Sequence, residues 1–308
     1  MRSNSTRRKL VEEEGHRHSV RRGLKGKLHF ENIPLLARFF AFLLRASFTK
    51  VIGMRNAMDV RLNEVDFAFG NLPARFDNTR ILLVTDLHVN GMDGLAEMII
   101  TTLGDIDYDF CILGGDYSFG CNDNHGLACE RMRTIAEFLG RKSRVFGVLG
   151  NHDKYKIGQL LNECGVEILV NESMCLEKGS DKIFIAGLDD CHYYGADDLE
   201  LADKGILHGA FKIMACHSPE RYLEAADAGY SLYLSGHTHG GQVCLPGGVA
   251  LVANATVPRR LVKGKWTYQG MSGYTSRGVG TSGVPVRYFC PPEMTVVTLR
   301  CGMQAGAS

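Results

Sequence analysis

At 308 residues, with 45% hydrophobic and 22% charged side chains, the chain has the composition of a soluble globular protein and enough length for one large or two ordinary domains. Its net charge of +1 hides an asymmetry: the first thirty residues carry nine Lys/Arg and three Glu, leaving 26 basic and 31 acidic residues beyond them. Such a basic segment suits an anionic membrane surface or a solvated arm. With no interleaved aromatic platform, nucleic acid is not an expected partner, and the absence of repeats and biased tracts excludes a low-complexity chain.

In chain order, residues 1–30 read as a flexible basic tail and residues 31–55 as an amphipathic, membrane-associating helix. The apolar run at 33–48 is interrupted by Arg38 and Arg45, seven apart and therefore on one helical face. A membrane span needs about 20 apolar residues, so this run better suits a helix lying in the interface. Its arginines would then face headgroups, with Phe39, Phe40, Phe42, Leu43 and Leu44 toward acyl chains; the alternative is packing on its own domain. Arg7-Arg8 and Arg21-Arg22 superficially match a twin-arginine export signal, but the apolar segment is distant and carries its own arginines. The expected location is the cytoplasmic face of a membrane. Ten cysteines without a Cys-x-x-Cys pair fit that reducing compartment, and Cys216 and Cys244 read as small buried side chains.

Residues 56–308 read as one α/β domain, because short β-branched apolar runs alternate with polar or Gly-rich stretches and helix-like segments. The runs expected as strands are Ile81 to Thr85, Phe110 to Leu113, Val145 to Leu149, Ile183 to Ala186, Lys212 to Cys216, Leu232 to Leu234 and Met294 to Leu299. Glu130 to Leu139 has helical spacing, with Ile135, Phe138 and Leu139 able to share a face.

Five of these strands end in metal-ligating residue types. Asp86-x-His88 follows the first; at spacing two in extended chain both side chains point the same way and can reach one ion. Gly114-Gly115-Asp116 follows the second, offering a carboxylate whose two oxygens can bridge two cations. Gly150-Asn151-His152-Asp153 follows the third, His217 the fourth, and Gly236-His237-Thr238-His239 the fifth. A single such motif is commonly chance or a turn. Five sets at strand ends, where open sheets gather their active sites, are not. The histidines at 16, 18, 29, 125, 192 and 208 lack ligand spacing and read as structural or solvated. Arg277, in a Gly- and Ser-rich loop, is a candidate phosphate clamp because a guanidinium binds phosphate bidentately. Every proposed ligand lies beyond Thr85, so the site is expected to survive loss of residues 1–55.

Taken in order, these five motifs resemble the signature of the calcineurin-like metallophosphoesterases. The sequence around 237–242 and Tyr274 to Gly280, followed by Cys290-Pro-Pro-Glu-Met-Thr, is similar to the branch containing YkuE-type phosphoesterases. The resemblance implies a four-layer αββα sandwich of two mixed β-sheets flanked by helices. It also implies two divalent metal ions, Mn, Fe, Zn or similar: Asp86, His88, Asp116 and His239 would hold one, and Asp116, Asn151, His217 and His237 the other. His152 is implied as the imidazole that stabilises the transition state or protonates the leaving oxygen, and Asp153 either orients that ring or caps a turn.

The activity implied is hydrolysis of phosphodiester or pyrophosphate bonds. Joined to the basic and apolar N-terminus, it suggests a phosphorylated or nucleotide-linked lipid substrate at an anionic membrane surface. UDP-2,3-diacylglucosamine pyrophosphatases of lipid A synthesis combine these features. Alternatives are a phosphodiesterase of phospholipid or cell-envelope substrates and, from a different class, a non-catalytic scaffold that keeps the fold for protein binding.

Overall fold

A computed structural model describes residues 6–14, 49–104, 106–119 and 125–302. One six-stranded sheet is built from β1 (Arg61–Phe69), β2 (Arg80–Val84), β3 (Phe110–Leu113), β4 (Arg144–Gly147), β5 (Val166–Ile168) and β14 (Glu293–Cys301), in the order β1-β14-β2-β3-β4-β5. The second is built from β6 (Glu172–Lys178), β7 (Asp181–Gly187), β8 (Phe211–Ala215), β9 (Leu232–Ser235), β12 (Gly264–Tyr268) and β13 (Met271–Thr275), in the order β12-β13-β9-β8-β7-β6. Both sheets are mixed. β2 to β5 run parallel with β14 antiparallel to β2, and β7, β8, β9 and β13 run parallel between antiparallel edge strands. A small hairpin, β10 (Cys244–Leu245) and β11 (Val249–Ala250), stands apart.

Side-chain alternation along the strands makes the layers. In β2, Ile81 and Leu83 join Phe110, Ile112, Phe146, Ile185, Ile213 and Leu234 between the two sheets. Leu82 and Val84 face the other way, against α3 (Leu95–Leu103), α4 (His125–Gly140) and α5 (Tyr155–Glu163). On the far side of the second sheet, Ala186, Met214, Tyr233 and Trp266 pack with α6 (Leu199–Asp203) and α7 (Tyr222–Asp227). The result is helix, sheet, sheet, helix, the four-layer sandwich expected. With both faces covered, the central strands need apolar residues at every position, which is why they read as continuous hydrophobic runs.

All seven expected strands are present. The helix expected over 130–139 is the core of α4, with Ile135 and Leu139 buried. At the N-terminus, the apolar run 33–48 and most of the basic tail lie outside the described residues. Over 6–14, however, the tail is a helix, α1 (Thr6–Glu14), and its Arg8 is fully buried. A second helix, α2 (Lys50–Ala57), packs on the segment 286–288: Arg287 donates its backbone N–H to the Gly53 carbonyl and Tyr288 its hydroxyl to the Thr49 carbonyl. No helix of the described residues is long and apolar enough to cross a membrane.

Candidate metal centre

Parallel strands bring their C-terminal ends to one edge of a sheet. The loops after β2, β3 and β4 therefore meet the loops after β8 and β9 at one end of the sandwich. Asp86 and His88 follow β2, Asp116 follows β3, Asn151 and His152 follow β4, His217 follows β8, and His237 and His239 follow β9. Asp86, His88 and His239 form one buried group whose ligand atoms lie within 4.8 Å of one another, and Asp116, His217 and His237 form a second. Asn151 joins the second group, its Oδ1 3.1 Å from His217 Nε2.

Asp116 lies between the groups. The His152 backbone N–H, at 2.9 Å, holds its Oδ1, while Oδ2 is 3.3 Å from His217 Nε2 and 3.6 Å from His88 Nε2. That oxygen reaches both sets. Asp86 is braced by the Thr85 hydroxyl at 2.8 Å and by the His237 backbone N–H. Space around the carboxylates is so tight that a Cβ on Gly150 would fall on Asp116 Oδ1, and one on Gly236 would fall on Asp86 Oδ2.

The spacing of two works through a geometry other than the extended one expected. Asp86, His88, Asp116, His237 and His239 all have positive φ, between 41° and 69°. The chain has already left the strand, and each ligand sits in a left-handed conformation that non-glycine residues adopt at a cost of order 1–3 kcal/mol. His237 and His239 accordingly separate, one into each group.

The donor sets fit divalent cations. In the second group, His217 donates Nδ1–H to the Gly114 carbonyl at 2.8 Å and His237 donates Nε2–H to the Asn254 carbonyl at 2.7 Å. Their other nitrogens face each other at 3.2 Å beside the Asp116 and Asn151 oxygens. Four acceptors converging without a donor require a cation or a proton. His88 is oriented in the same way by the Ser118 carbonyl, at 2.8 Å.

The electrostatics agree. Burial pushes His88 down to about 4, and burial with neighbouring cationic groups holds His237 and His239 well below the ordinary histidine range, as neutral ligands. Burial likewise opposes charge on Asp116, but His217, His152 and His88 keep its carboxyl well below the usual range. Burial would also lower His217, yet Asp116 beside it holds that imidazole well above its ordinary value, the proton standing where a cation would.

Comparison with known proteins decides the family. Residues 79–241 match the calcineurin-like phosphoesterase family, a stretch that contains every candidate ligand from Asp86 to His239. The chain belongs to the calcineurin-like phosphoesterases. It is 31% identical over 243 residues to the Bacillus subtilis metallophosphoesterase YkuE, covering 74% of this chain and 82% of that protein. To B. subtilis YkoQ it is 27% identical over 276 residues, covering 83% of this chain and 94% of the relative. To the Escherichia coli phosphodiesterase YaeI it is 27% identical, covering 71% and 82%. The chain is therefore a metal-dependent phosphoester hydrolase of a family that uses a dinuclear metal centre, and its two buried His/Asp groups could hold the two ions.

Around this phosphoesterase centre, other residues have partners that the sequence did not announce. Asp153 caps the turn: its carboxylate accepts backbone N–H groups of Asp116, Tyr117 and Gly150 at 2.7, 2.8 and 2.8 Å, fastening the β3 loop to the β4 loop. Arg277 is 24% exposed, and its Nε and Nη2 both donate to Glu293 Oε2, so those donors are engaged within the protein. The guanidinium that reaches the centre is that of Arg287, fully buried, which lies 3.3 Å from His239 Nδ1 and donates to the Gly278 and Gly280 carbonyls. His192, set aside for lack of ligand spacing, has its ring tilted against His237, centroids 4.2 Å apart, and pairs with Glu220 at 2.9 Å. Only its neighbours in space, not in sequence, mark it. His208 is exposed, while His16, His18 and His29 lie outside the described residues.

Proposed function

We propose that this phosphoesterase cleaves phosphodiester or pyrophosphate bonds in a membrane-linked amphiphile, such as UDP-2,3-diacylglucosamine, working at the cytoplasmic face of the membrane. The observation that carries the reading is an apolar rim at the metal centre. A cavity of about 280 Å³ is lined by Asp116, Asn151, His152, His237 and His239 together with the apolar Leu251 and Val252. Leu251 and Val252 are 54% and 64% exposed, and the exposed Leu245 and Val249 of the hairpin continue the surface. The hairpin is joined through Cys244 to Tyr288, next to exposed Phe289 and to α2, where Val51 and Ile52 are exposed. An amphiphile could place its phosphate at the ligands and its chains along this rim. The names of two relatives support the reading: the E. coli protein is a phosphodiesterase, and a zebrafish relative, 27% identical, is a transmembrane protein with a metallophosphoesterase domain.

Two divalent cations, when bound, acidify water and neutralise charge on the attacking and leaving oxygens. The chain's own residues do the rest. Asp116 ties the two ligand groups together, and the carbonyls of Gly114, Ser118 and Asn254 fix the imidazole tautomers. His152 lines the cavity with Nε2 4.0 Å from Asp116 Oδ2, which supports reading it as the donor of a proton to the leaving oxygen. A non-catalytic scaffold would have no use for this complete set.

The test compares UDP-2,3-diacylglucosamine and a phospholipid, each in mixed micelles, with soluble bis(p-nitrophenyl) phosphate, using wild type and the paired Leu245→Gln, Val249→Gln variant. Loss of two apolar contacts should lower turnover of the preferred lipid by at least about tenfold, with the soluble diester unaffected. If neither lipid is cleaved better than the soluble diester, the amphiphile reading fails while the hydrolase stands. Preference for the phospholipid would replace the nucleotide-linked substrate.

A further inference from the structure

Arg8 lies in α1, between exposed Arg7 and Lys9, yet is fully buried. Its guanidinium enters a socket behind the metal loop. Nε donates to Asp189 Oδ1 at 2.7 Å, Nη2 to the Gly150 carbonyl at 3.0 Å, and Nη1 to the Asp153 carbonyl. The Tyr194 ring lies against it, 4.2 Å away. The helix is further tied at its edge, where Glu12 accepts the Tyr155 backbone N–H at 2.7 Å and Lys9 lies over the Tyr155 ring at 4.0 Å.

The two carbonyls that Arg8 grips bracket Asn151 and His152. We infer that Arg8 is a positioning residue: its guanidinium fixes the Gly150–Asp153 turn from behind, so that Asn151 and His152 face Asp116. This rests on the reading of these residues as the hydrolytic centre. A planar cation with several donors can hold a carboxylate and two carbonyls at set separations, which an ammonium, a single point charge, cannot. Buried carbonyls and a buried carboxylate need such partners. From the other side, the Asp153 carboxylate holds the turn through the Gly150 N–H. The turn is thus clamped on both faces, one clamp coming from more than a hundred residues away in sequence. It follows that the site does not survive loss of residues 1–55 intact, contrary to the expectation from ligand positions alone.

The experiment uses the full chain and its variants Arg8→Ala, Arg8→Lys and Arg7→Ala, with Mn²⁺ bound per chain and hydrolysis of bis(p-nitrophenyl) phosphate both followed against Mn²⁺ concentration. Residues that orient metal ligands typically contribute about 10- to 100-fold in metal affinity or activity. Arg8→Ala should raise the Mn²⁺ needed for half-saturation of bound metal and for half-maximal activity, and lower kcat, within that range, with little change in KM. Millimolar guanidinium chloride, well below denaturing concentrations, should restore part of the loss, and sodium chloride at the same concentration should not. Arg7→Ala should match wild type. Arg8→Lys keeps a charge opposite Asp189 and thereby protects folding, but it should still show a raised Mn²⁺ requirement. Wild-type Mn²⁺ activation in Arg8→Lys overturns the inference, as does a loss in folded Arg8→Ala that guanidinium leaves untouched. An inactive wild type would instead defeat the hydrolase reading itself.

Discussion

His152 differs from the other histidines of the centre in what its neighbours ask of it. Its backbone N–H holds Asp116 Oδ1, its ring lines the cavity, and it belongs to neither ligand group. Replacing it with alanine should therefore lower the rate by roughly 10²- to 10⁴-fold while bound metal is retained. The loss should be greater for an alkyl ester, whose alkoxide needs a proton, than for a nitrophenyl ester. Equal losses for both leaving groups would remove His152 from proton donation. Residue types and spacings were legible here because the ligands come in short local sets, Asp86-x-His88 and His237-x-His239, and chemistry limits which side chains can bind a cation. The left-handed φ of those ligands was not legible, since alternation in a strand predicts the same pairing for a different reason. Arg8 was hidden more deeply, because among basic neighbours nothing local distinguishes a buried guanidinium from a solvated one.

At the scale of elements, the turn from β4 to α5 shows how loops are joined once strands have delivered them. Asp153 accepts three buried backbone N–H groups from two loops. Asp153→Ala would leave those donors unpaired, at about 1–3 kcal/mol each. The variant should lose at least about 3 kcal/mol of stability in denaturant unfolding of the metal-free protein; a change within 0.5 kcal/mol, roughly that of a surface substitution, would mean that water replaces the carboxylate. The central strands were readable because they are apolar on both faces. β1 and β6 were not: β1, an edge strand, has exposed and partly buried residues over most of its length, and β6 has no fully buried residue. β12 buries only Trp266, and β13 carries Ser272, Gly273 and Thr275, so its burial shows only against β9. The hairpin β10–β11, two residues per strand, is set by its turn and not by any apolar pattern.

Over the whole molecule, the four layers serve to bring the ends of five parallel strands from two sheets to one place, so that groups far apart in sequence share Asp116. The fold class was legible because the motif order and the strand pattern pointed to the same architecture. The N-terminal contribution was not, since the contacts of Arg8 and of α2 with the domain cross most of the chain. The central claim is that Asp116 couples two cation sites and that hydrolysis needs both. The most direct measurement is to strip the purified protein with chelator, add back Mn²⁺ stepwise, and read bound metal and hydrolysis of bis(p-nitrophenyl) phosphate together, in wild type and in Asp116→Ala. The account predicts no turnover without metal, full turnover in wild type only as a second ion per chain binds, and an Asp116→Ala protein that is inactive and binds less metal at every step. Turnover by the stripped protein, full rate with a single ion, or wild-type metal content in Asp116→Ala would contradict it.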